Sequence, residues 1–472
     1  MPSELGLIGL AVMGQNLVLN MAGRGIPVAV HNRTVETARK FMRESAKGLP
    51  VELGETLAQF VALLAKPRTV MIMVKAGPAV DETIAGLLPL LDEGDLIIDL
   101  GNSHFQDTER RGKELTEKGI AYMGVGVSGG EEGALKGPSI MPGGTPEAYQ
   151  RVRHVFEAIA ARTGDGPCVT LAGPRGAGHY VKMVHNGLEY GDMQLIAEVY
   201  HILRRVGSLD NEALARAFDE FNQGELASYL VEISARIFRE KDPDTQKPLL
   251  DLILDRAGQK GTGRWTSVNA LELGEAVPTI TAAVEARSLS AKKELRKDAE
   301  KIINVVKPAQ IPITSTSYLV RAAGDALYSA RLSLYAQGMA LLSAASREYG
   351  YGLDLTELAR IWKGGCIIRS AILDVIRRAY TEAPELPSLL LYHDIIETID
   401  KKYDRWGNLI RIAIAFGVPC PALMSALAYF EAIRTARLPA NLISAQRDLF
   451  GAHTFERIDR PGSFHHRWDK KP

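Results

Sequence analysis

Cysteine is scarce in this chain of 472 residues, and a net charge is absent. Cys168, Cys366 and Cys420 lie far apart and form no Cys-x-x-Cys pair, which disfavours a disulfide framework and a thiolate metal site. The 56 Lys and Arg residues balance 56 Asp and Glu residues, so no overall field attracts nucleic acid or an anionic membrane. We therefore expect a protein of a reducing compartment, the cytoplasm, whose partner is a small molecule.

Long uncharged apolar runs are missing as well. Lys66 and Arg68 interrupt one apolar stretch, and Arg411 lies inside another, so neither is the uncharged segment of about 20 residues that spans a bilayer. The first residues lack a basic and apolar leader. No His, Asp and Glu cluster has the spacing of metal ligands, so we expect neither a membrane segment nor a metal ion.

The first third of the chain alternates short apolar runs with helical patterns, which is typical of a parallel sheet covered by helices. The predicted strands are Leu5–Gly9, Val28–His31, Val70–Val74, Leu96–Asp99, Ala121–Val125 and Val169–Leu171. From about Gly178 the pattern changes to long helical periodicity. We predict an α/β domain over residues 1–178, an all-helical domain over 179–438, and a polar tail over 439–472.

Two helical segments have similar endings. Phe221–Leu226 and Trp362–Ile367 each carry a glycine and each follow an amphipathic stretch that contains Leu-Ala-Arg. A duplicated helical half-domain explains this similarity. Chance resemblance between two helices that both end at glycine explains it equally well.

Four polar residues share one face of a predicted helix: Lys182, His185, Asn186 and Glu189. At about 100° per residue they fall within an arc of about 100°, while the residues between them are mostly apolar. A lysine–glutamate pair on a solvated helix face is the simpler interpretation. The glycines around the stripe, at 176, 178 and 187, argue against it because they permit close approach of backbone or ligand. A buried lysine beside a carboxylate indicates proton transfer.

A glycine turn follows the first predicted strand. Gly9 permits a tight turn and Gly14 permits close helix packing, so the backbone N–H groups at the helix start face a pyrophosphate. Ala11 replaces the usual middle glycine, and turns of this kind are often merely structural. The motif therefore favours a dinucleotide site, with a purely structural turn as the alternative.

The end of the second predicted strand indicates which dinucleotide binds. An acidic residue at this point would accept hydrogen bonds from the ribose of NAD, but the chain has Asn32-Arg33-Thr34. Arg33 offers a bidentate fork and Thr34 a hydroxyl to a 2′-phosphate, which favours NADP over NAD. An exposed arginine without a ligand is the alternative.

Several segments together resemble one family. They are Gly9–Asn16, Asn32–Thr34, Gly101–Ser103, Ser128–Gly130, Lys182–Tyr190, Gly261–Gly263 and Phe450–Thr454. On these residues the chain resembles the decarboxylating 6-phosphogluconate dehydrogenases over essentially its whole length. The departures are modest: Phe221 stands where tryptophan is expected, Arg264 where lysine is usual, and the tail ends soon after Trp468.

The resemblance implies a Rossmann-like, NADP-binding N-terminal domain, a large all-helical domain, and a C-terminal tail that reaches the other subunit of a homodimer with shared active sites. It also implies a reaction of the pentose phosphate pathway. In that reaction 6-phosphogluconate and NADP give ribulose 5-phosphate, carbon dioxide and NADPH.

The family's functional residues carry over onto matching positions of this chain. Lys182 matches the general base and Glu189 the general acid. The positions around the sugar acid are Asn102, Ser128, Gly129, Gly130, His185 and Asn186, and those around the phosphate are Tyr190, Lys260, Arg287 and Arg447. His453 lies near the substrate, with Arg447 and His453 supplied by the partner. The NADP positions are Gly9, Leu10, Ala11, Val12, Met13, Gly14, Asn32, Arg33, Thr34, Val74, Lys75, Ala76 and Asn102.

Two other functions are compatible with parts of the sequence. A related β-hydroxyacid dehydrogenase that acts on a smaller, non-phosphorylated acid would share the glycine turn and the helical lysine, but the extra helical half and the His453 tail disfavour it. A non-catalytic NADPH-binding regulator or scaffold is disfavoured by the presence of both Lys182 and Glu189, since binding alone needs no acid and base.

Overall fold

A computed structural model describes residues 2–303 and 315–468 of the chain. Contacts between them fall into two compact units, one that extends to Ala426 and one that begins at Leu427. The division of the sequence at residues 178 and 438 stays a prediction.

The first unit opens with a sheet of seven strands among the described residues. They are β1 (Leu5–Ile8), β2 (Val28–His31), β3 (Val51–Leu53), β4 (Thr69–Ile72), β5 (Leu96–Asp99), β6 (Ala121–Ser128) and β7 (Ser139–Gly143). Their order is β3-β2-β1-β4-β5-β6-β7; the first six are parallel, and β7 is antiparallel to β6. This order reverses direction at β1, and the carboxyl ends of the strands beside such a point form a ligand crevice.

Five of the six predicted strands are confirmed as β1, β2, β4, β5 and β6. The strand predicted over Val169–Leu171 is wrong, because Val169 forms only an isolated bridge with Ile140. The sequence analysis missed β3, which has only three residues and includes Glu52. It also missed β7, whose Pro142 and Gly143 hid the strand pattern.

Helices cover both faces of this sheet. They are α1 (Val12–Ala22), α2 (Val35–Glu44), α3 (Leu57–Ala62), α4 (Pro78–Leu87), α5 (Phe105–Thr116), α6 (Gly130–Lys136) and α7 (Pro146–Ile159), followed by a small hairpin of β8 (Arg162–Thr163) and β9 (Gly166–Pro167). Successive side chains of β1 enter opposite cores: Leu7 packs into one, and Ile8 packs into the other. This alternation is the consequence of the strand repeat of two residues.

From Ala177 to the end of the first unit the described residues are mainly helical. The helices are α8 (Ala177–Arg205), α9 (Asn211–Phe221), α10 (Tyr229–Arg239), α11 (Thr262–Glu272), α12 (Pro278–Ser290), α13 (Lys293–Ile302), α14 (Thr316–Glu348), α15 (Leu355–Ile361), α16 (Ile372–Glu382), α17 (His393–Ala415) and α18 (Pro421–Ile433), which continues into the second unit. The long helices α8 and α14 pack on each other and are joined by a buried ion pair between Asp192 and Arg331. An α/β domain followed by a mainly helical part confirms the predicted fold class.

The helical part repeats one order of elements. The long helix α8 is followed by the shorter α9 and α10, and the long helix α14 is followed by the shorter α15 and α16. The equivalent loops pair with each other, because Tyr229 N donates to Arg369 O (3.1 Å) and Ala371 N donates to Ala227 O (2.9 Å). This pairing supports the interpretation of a duplicated half-domain.

The second unit continues from α18 into α19 (Ala440–Gly451) and a hairpin of β10 (Phe455–Glu456) and β11 (Ser463–Phe464). The buried carboxylate of Asp448 organises it by accepting hydrogen bonds from His465 Nδ1 (2.8 Å), His466 N (2.9 Å) and Trp468 Nε1 (2.8 Å). Across residues 2–303 and 315–468 we find no helix with the length and apolar character of a membrane span, and no His, Cys, Asp and Glu group arranged to hold a metal ion.

Candidate active site

The N-terminal half of α8 lies directly on the backbone of the sheet. A Cβ atom at Gly126 of β6 would overlap Lys182 Cβ and lie 3.0 Å from Lys182 Cγ. At Gly178 a Cβ atom would overlap the carbonyl oxygens of Met141 and Gly124. Glycine on both elements therefore lets α8 approach the strands and places the Lys182 side chain beside β6.

Lys182 is almost fully buried, with 6% of its surface exposed. Its Nζ donates to Asn186 Oδ1 (2.7 Å) and lies 3.4 Å from His185 Nδ1. Burial lowers the pKa of Lys182, while the negative charge of Glu189 acts in the opposite direction. The burial that we predicted from the polar stripe is confirmed, and it favours the neutral amine.

His185 has no exposed surface. Its Nε2 lies 3.2 Å from Ser128 Oγ at the end of β6, and its ring meets Trp362 edge-on at 5.7 Å between centroids. Burial, followed by the nearby Lys182, holds the pKa of His185 well below its usual range. The imidazole is therefore neutral and joins the β6 loop to α8.

Glu189 lies two turns beyond Lys182 on the same helix, and 23% of its side chain is exposed. Its Oε2 is 4.0 Å from His185 Nδ1. Burial raises the pKa of Glu189; Lys182 and Arg287 act to lower it, and Asp192 raises it further. A carboxyl group with a raised pKa can hold a proton for transfer to a bound molecule.

Two loops of the sheet border this helix face. Gly129 and Gly130 follow β6 with φ angles of 123° and 61°, and a Cβ atom at Gly129 would lie 2.6 Å from Gly365 O. Asn102 is exposed in the loop after β5. Beneath it, Asp99 accepts hydrogen bonds from Gly101 N (2.9 Å) and Ser103 Oγ (2.5 Å).

The structure brings together three residues that are far apart in sequence. The Arg287 guanidinium carbon lies 3.5 Å from the centroid of the Tyr190 ring, and the backbone N of Lys260 donates to the Tyr190 hydroxyl (3.4 Å). Tyr190 is adjacent to Glu189 on α8, so this cluster borders the polar stripe. The Arg287 guanidinium and the Lys260 backbone therefore meet at the Tyr190 side chain, an arrangement for which sequence spacing alone gave no signal.

Arg447 and His453 belong to the second unit, and both are exposed. Arg447 lies on α19, and His453 follows that helix with its ring 5.9 Å from that of Phe450. That these two residues contribute to the active site of a partner subunit stays a prediction.

The glycine turn has the geometry of a dinucleotide site. Gly9 has a φ angle of 104°, and a Cβ atom there would overlap Met73 O, while a Cβ atom at Gly14 would overlap Gly9 O. Ala11, the residue before α1, makes no side-chain cap, so the first N–H groups of α1, at Val12 and Met13, point outward without a side-chain partner. Such a helix start binds phosphate through its N–H groups and its dipole.

Two neighbouring loops complete the crevice. Asn32 Oδ1 accepts a hydrogen bond from Leu10 N (2.9 Å), which ties the loop after β2 to the glycine turn. The next residues, Arg33 and Thr34, are exposed. Residues 74–76, namely Val74, Lys75 and Ala76, follow β4 on the other side of β1. The residues present therefore fit a dinucleotide with an additional phosphate on its ribose.

Comparison with known proteins identifies the family. Residues 4–173 match the NAD binding domain of 6-phosphogluconate dehydrogenase, and residues 178–468 match the C-terminal domain of 6-phosphogluconate dehydrogenase. The chain is 53% identical to a decarboxylating 6-phosphogluconate dehydrogenase of Synechococcus elongatus over 468 residues, covering 98% of this chain and 99% of the relative. The chain belongs to the 6-phosphogluconate dehydrogenase family.

Two further members of the 6-phosphogluconate dehydrogenase family are similar to this chain over nearly its whole length. An NADP(+)-dependent, decarboxylating enzyme of Bacillus subtilis is 52% identical, with 99% of each chain covered. A solved 6-phosphogluconate dehydrogenase of Plasmodium falciparum, described in its apo form and in complex with NADP+ and 6-phosphogluconate, superposes with a TM-score of 0.95 at 44% identity. This match covers 98% of this chain and 100% of that one.

Two residues beside α8 were not predicted from the sequence. Trp362 contacts the His185 ring, and the charge that Cys366 would carry as a thiolate acts on the pKa of Lys182. Both lie in the repeated segment Trp362–Ile367. The repeat was therefore the available signal, but from the sequence we considered it only as duplication or as chance resemblance.

Proposed function

We propose that this chain oxidises and decarboxylates 6-phosphogluconate to ribulose 5-phosphate and carbon dioxide, with NADP as the oxidant. The observation that carries the proposal is the burial of Lys182 on the helix face that also holds Glu189. The Bacillus subtilis relative is named as NADP(+)-dependent and decarboxylating, and the Plasmodium falciparum relative is described with both ligands.

Lys182 acts first in this mechanism. Its Nζ, whose neutral form burial favours, accepts the proton of the substrate's C3 hydroxyl. NADP, when bound in the crevice after β1, β2 and β4, supplies the hydride acceptor. The resulting ammonium of Lys182 faces the new C3 ketone and stabilises the negative charge that develops there as the neighbouring carboxylate leaves.

Glu189 completes the reaction. Loss of carbon dioxide from the β-keto acid, with return of the Lys182 proton to the C3 oxygen, leaves a C2–C3 enediol. Its C2, which becomes C1 of ribulose 5-phosphate, must then be protonated while Lys182 takes back the proton of the C3 hydroxyl. Glu189 is the proposed acid because burial raises its pKa and so favours its protonated form, and it lies about two turns from the base. One rigid helix therefore separates the two proton-transfer groups. His185, which is held by Ser128, orders the polar groups between them.

The cluster of Tyr190, Lys260 and Arg287 binds the substrate phosphate in this proposal. It supports a phosphorylated substrate over the smaller acid of the alternative function. Assays with gluconate, which lacks the phosphate, separate the two: we expect a higher KM for gluconate by about 100-fold or more, since charge-assisted contacts to the phosphate are lost. Equal use of both acids would favour the alternative.

The direct test mixes the protein with NADP and 6-phosphogluconate and follows NADPH absorbance and carbon dioxide together. Lys182→Met should abolish NADPH formation while substrate still binds, and Glu189→Gln should slow conversion of the keto intermediate. Lys401→Met is the matched control, because Lys401 forms an exposed ion pair with Glu397 on α17. Substantial turnover by Lys182→Met would remove this lysine from the role of base.

We also propose a homodimer with shared active sites, in which Arg447 and His453 reach the partner's substrate. Support comes from α19, which exposes the apolar side chains of Leu442, Ile443, Leu449 and Phe450. An exposed apolar surface of this kind marks an interaction site. Mixed dimers of Lys182→Met and Arg447→Ala subunits should then recover part of the activity, whereas verified mixed dimers without activity would contradict sharing.

A cytoplasmic location completes the proposal. The three cysteines are free and buried in the structure, as suits a reducing compartment. Fractionation of the native host's cells tests this location, and recovery with a membrane or secreted fraction would contradict it.

A further inference from the structure

A buried arginine connects two loops that the proposed function assigns to ligand binding. Arg111 lies on α5, and 2% of its side chain is exposed. Its Nε and Nη2 donate to the two oxygens of Asp81 on α4, each at 2.8 Å. The pair is bidentate, which fixes the orientation of the guanidinium as well as its position.

The remaining donors of Arg111 reach both loops. Nη2 also donates to Gly77 O (3.1 Å), which directly follows residues 74–76 in the loop between β4 and α4. Nη1 lies 3.5 Å from Ser103 Oγ and 3.6 Å from Asp99 Oδ2, in the loop that carries Asn102. The Arg111 guanidinium therefore contacts both the loop of the proposed cofactor residues 74–76 and the loop that carries Asn102.

The two loops also contact each other. A Cβ atom at Gly101 would lie 3.4 Å from Val74 O, so the backbones are adjacent with little free space. Asp99 is fully buried and accepts from Ser103 Oγ and Gly101 N, which makes it the other anchor of the Asn102 loop. The Arg111 guanidinium lowers the pKa of Asp81 to about 2, so this ion pair persists at every pH suited to assay.

We propose that Arg111 is a positioning residue that holds the loop of residues 74–77 and the loop of residues 100–104 in one arrangement, so that NADP binding prepares Asn102 for the substrate. The inference rests on the proposed function for the assignment of the two loops. Arg111 itself contacts neither ligand. Its effect is a coupling between two sites through a shared rigid element.

The neighbouring residue provides a matched control. Arg110 also contacts Asp81 (2.8 Å), but its side chain is 45% exposed, and its other partners are Asp107 and Glu114 on its own helix. Arg110→Met and Arg111→Met therefore remove the same chemical group from the same carboxylate. Only the second substitution removes the contacts to Gly77 and to the Asn102 loop.

The test measures binding and amide hydrogen exchange. NADP affinity is determined by titration calorimetry with and without 6-phosphogluconate in chains that also carry Lys182→Met, because the active enzyme would consume both ligands. Amide hydrogen exchange is followed in residues 74–77 and 100–104. In the wild type we expect NADP to protect both loops. In Arg111→Met it should protect only the first, and the gain in 6-phosphogluconate affinity on NADP binding should fall by roughly 2- to 30-fold, the range for residues that couple sites. Arg110→Met should match the wild type within about twofold, as is usual for exposed pairs.

Two outcomes would overturn the inference: protection of both loops in Arg111→Met, or equal effects of the two substitutions. If Arg111→Met does not fold, Asp81→Asn is used instead, because it removes the ion pair with Arg111 at a side chain that is 38% exposed. This variant must show the same loss of coupling. A wild-type chain that binds no NADP contradicts the proposed function instead. In that case amide hydrogen exchange of the ligand-free protein tests the positioning role by itself. Arg111→Met or Asp81→Asn must then accelerate exchange in both loops.

Discussion

Gly126→Ala tests whether the contact between β6 and α8 sets the position of the proposed base. Gly126 is buried in β6, opposite Met141 of β7. An added methyl group would overlap Lys182 Cβ and lie 3.0 Å from Lys182 Cγ and 3.1 Å from Gly178 O. Because Lys182 Cβ and Gly178 O are both fixed to the backbone of α8, the helix and the strand must separate to accommodate the methyl group.

The size of the effect follows from the overlap. Carbon atoms pack at about 3.5–4.0 Å, so relief of the overlap with Lys182 Cβ requires a displacement of about 1–1.6 Å. Overpacking of this kind costs about 1–3 kcal/mol of stability. A catalytic group misplaced by about 1 Å can lose about 100-fold in rate. We therefore expect kcat to fall by about 10- to 100-fold, or about 1.4–3 kcal/mol in activation free energy.

The assay compares kcat per folded enzyme with the free energy of unfolding. Gly324→Ala on α14 is the overpacking control, since its methyl group would lie 2.9 Å from the Phe221 ring within the helical core. Gly407→Ala on α17 is the neutral control, because its added Cβ would have no neighbour within 4 Å other than its own stretch of helix. The reasoning is refuted if Gly126→Ala keeps kcat within twofold of the wild type, or if Gly324→Ala loses as much.

Three further outcomes follow from particular residues. Arg33→Ala should raise the KM for NADP by about 10- to 100-fold and leave that for NAD nearly unchanged, because it removes charge-assisted contacts to a 2′-phosphate; equal effects would refute the assignment. Burial raises the pKa of Glu198 to about 7, so the folded protein binds a proton that the unfolded chain releases above pH 4.5. Relative to Glu198→Gln, the wild type should lose about 3 kcal/mol of stability as pH rises from 4.5 to 7 in chemical denaturation, and a constant difference would contradict this. Arg331→Met should cost about 3–5 kcal/mol by leaving the Asp192 carboxylate buried and unpaired, and Asp192→Asn in the same chain should recover part of it.

Much of the sheet could be predicted because its strands are short apolar runs between helical patterns. The run at Val169–Leu171 misled the analysis, since it lies between Pro167 and Gly173 and finds one bridge partner rather than a strand. The antiparallel β7 was missed because it begins with a serine and ends with proline and glycine. A local apolar pattern predicts that a segment is buried. Whether that segment pairs as a strand depends on which distant segments of the chain lie beside it.

The candidate site likewise contains residues that could be grouped from the sequence and residues that could not. Lys182, His185, Asn186 and Glu189 could be grouped from sequence because one helix carries them at fixed angular spacing. The approach of Arg287 to Tyr190 could not, because it depends on how α12 packs against α8. The contacts of Arg111 were likewise hidden, since its partners lie on two loops and another helix.

The titration of Lys182 tests the central claim most directly. Nuclear magnetic resonance of lysine labelled with ¹³C at Cε, assigned by loss of one signal in Lys182→Met, would follow this amine in the ligand-free protein. We expect a pKa below the value of about 10.4 for a solvated lysine, because burial disfavours the ammonium. In Glu189→Gln it should fall further, since the carboxylate that favours the charged form is gone. A Lys182 that titrates at or above the solvated value would contradict the proposal of a neutral, buried base.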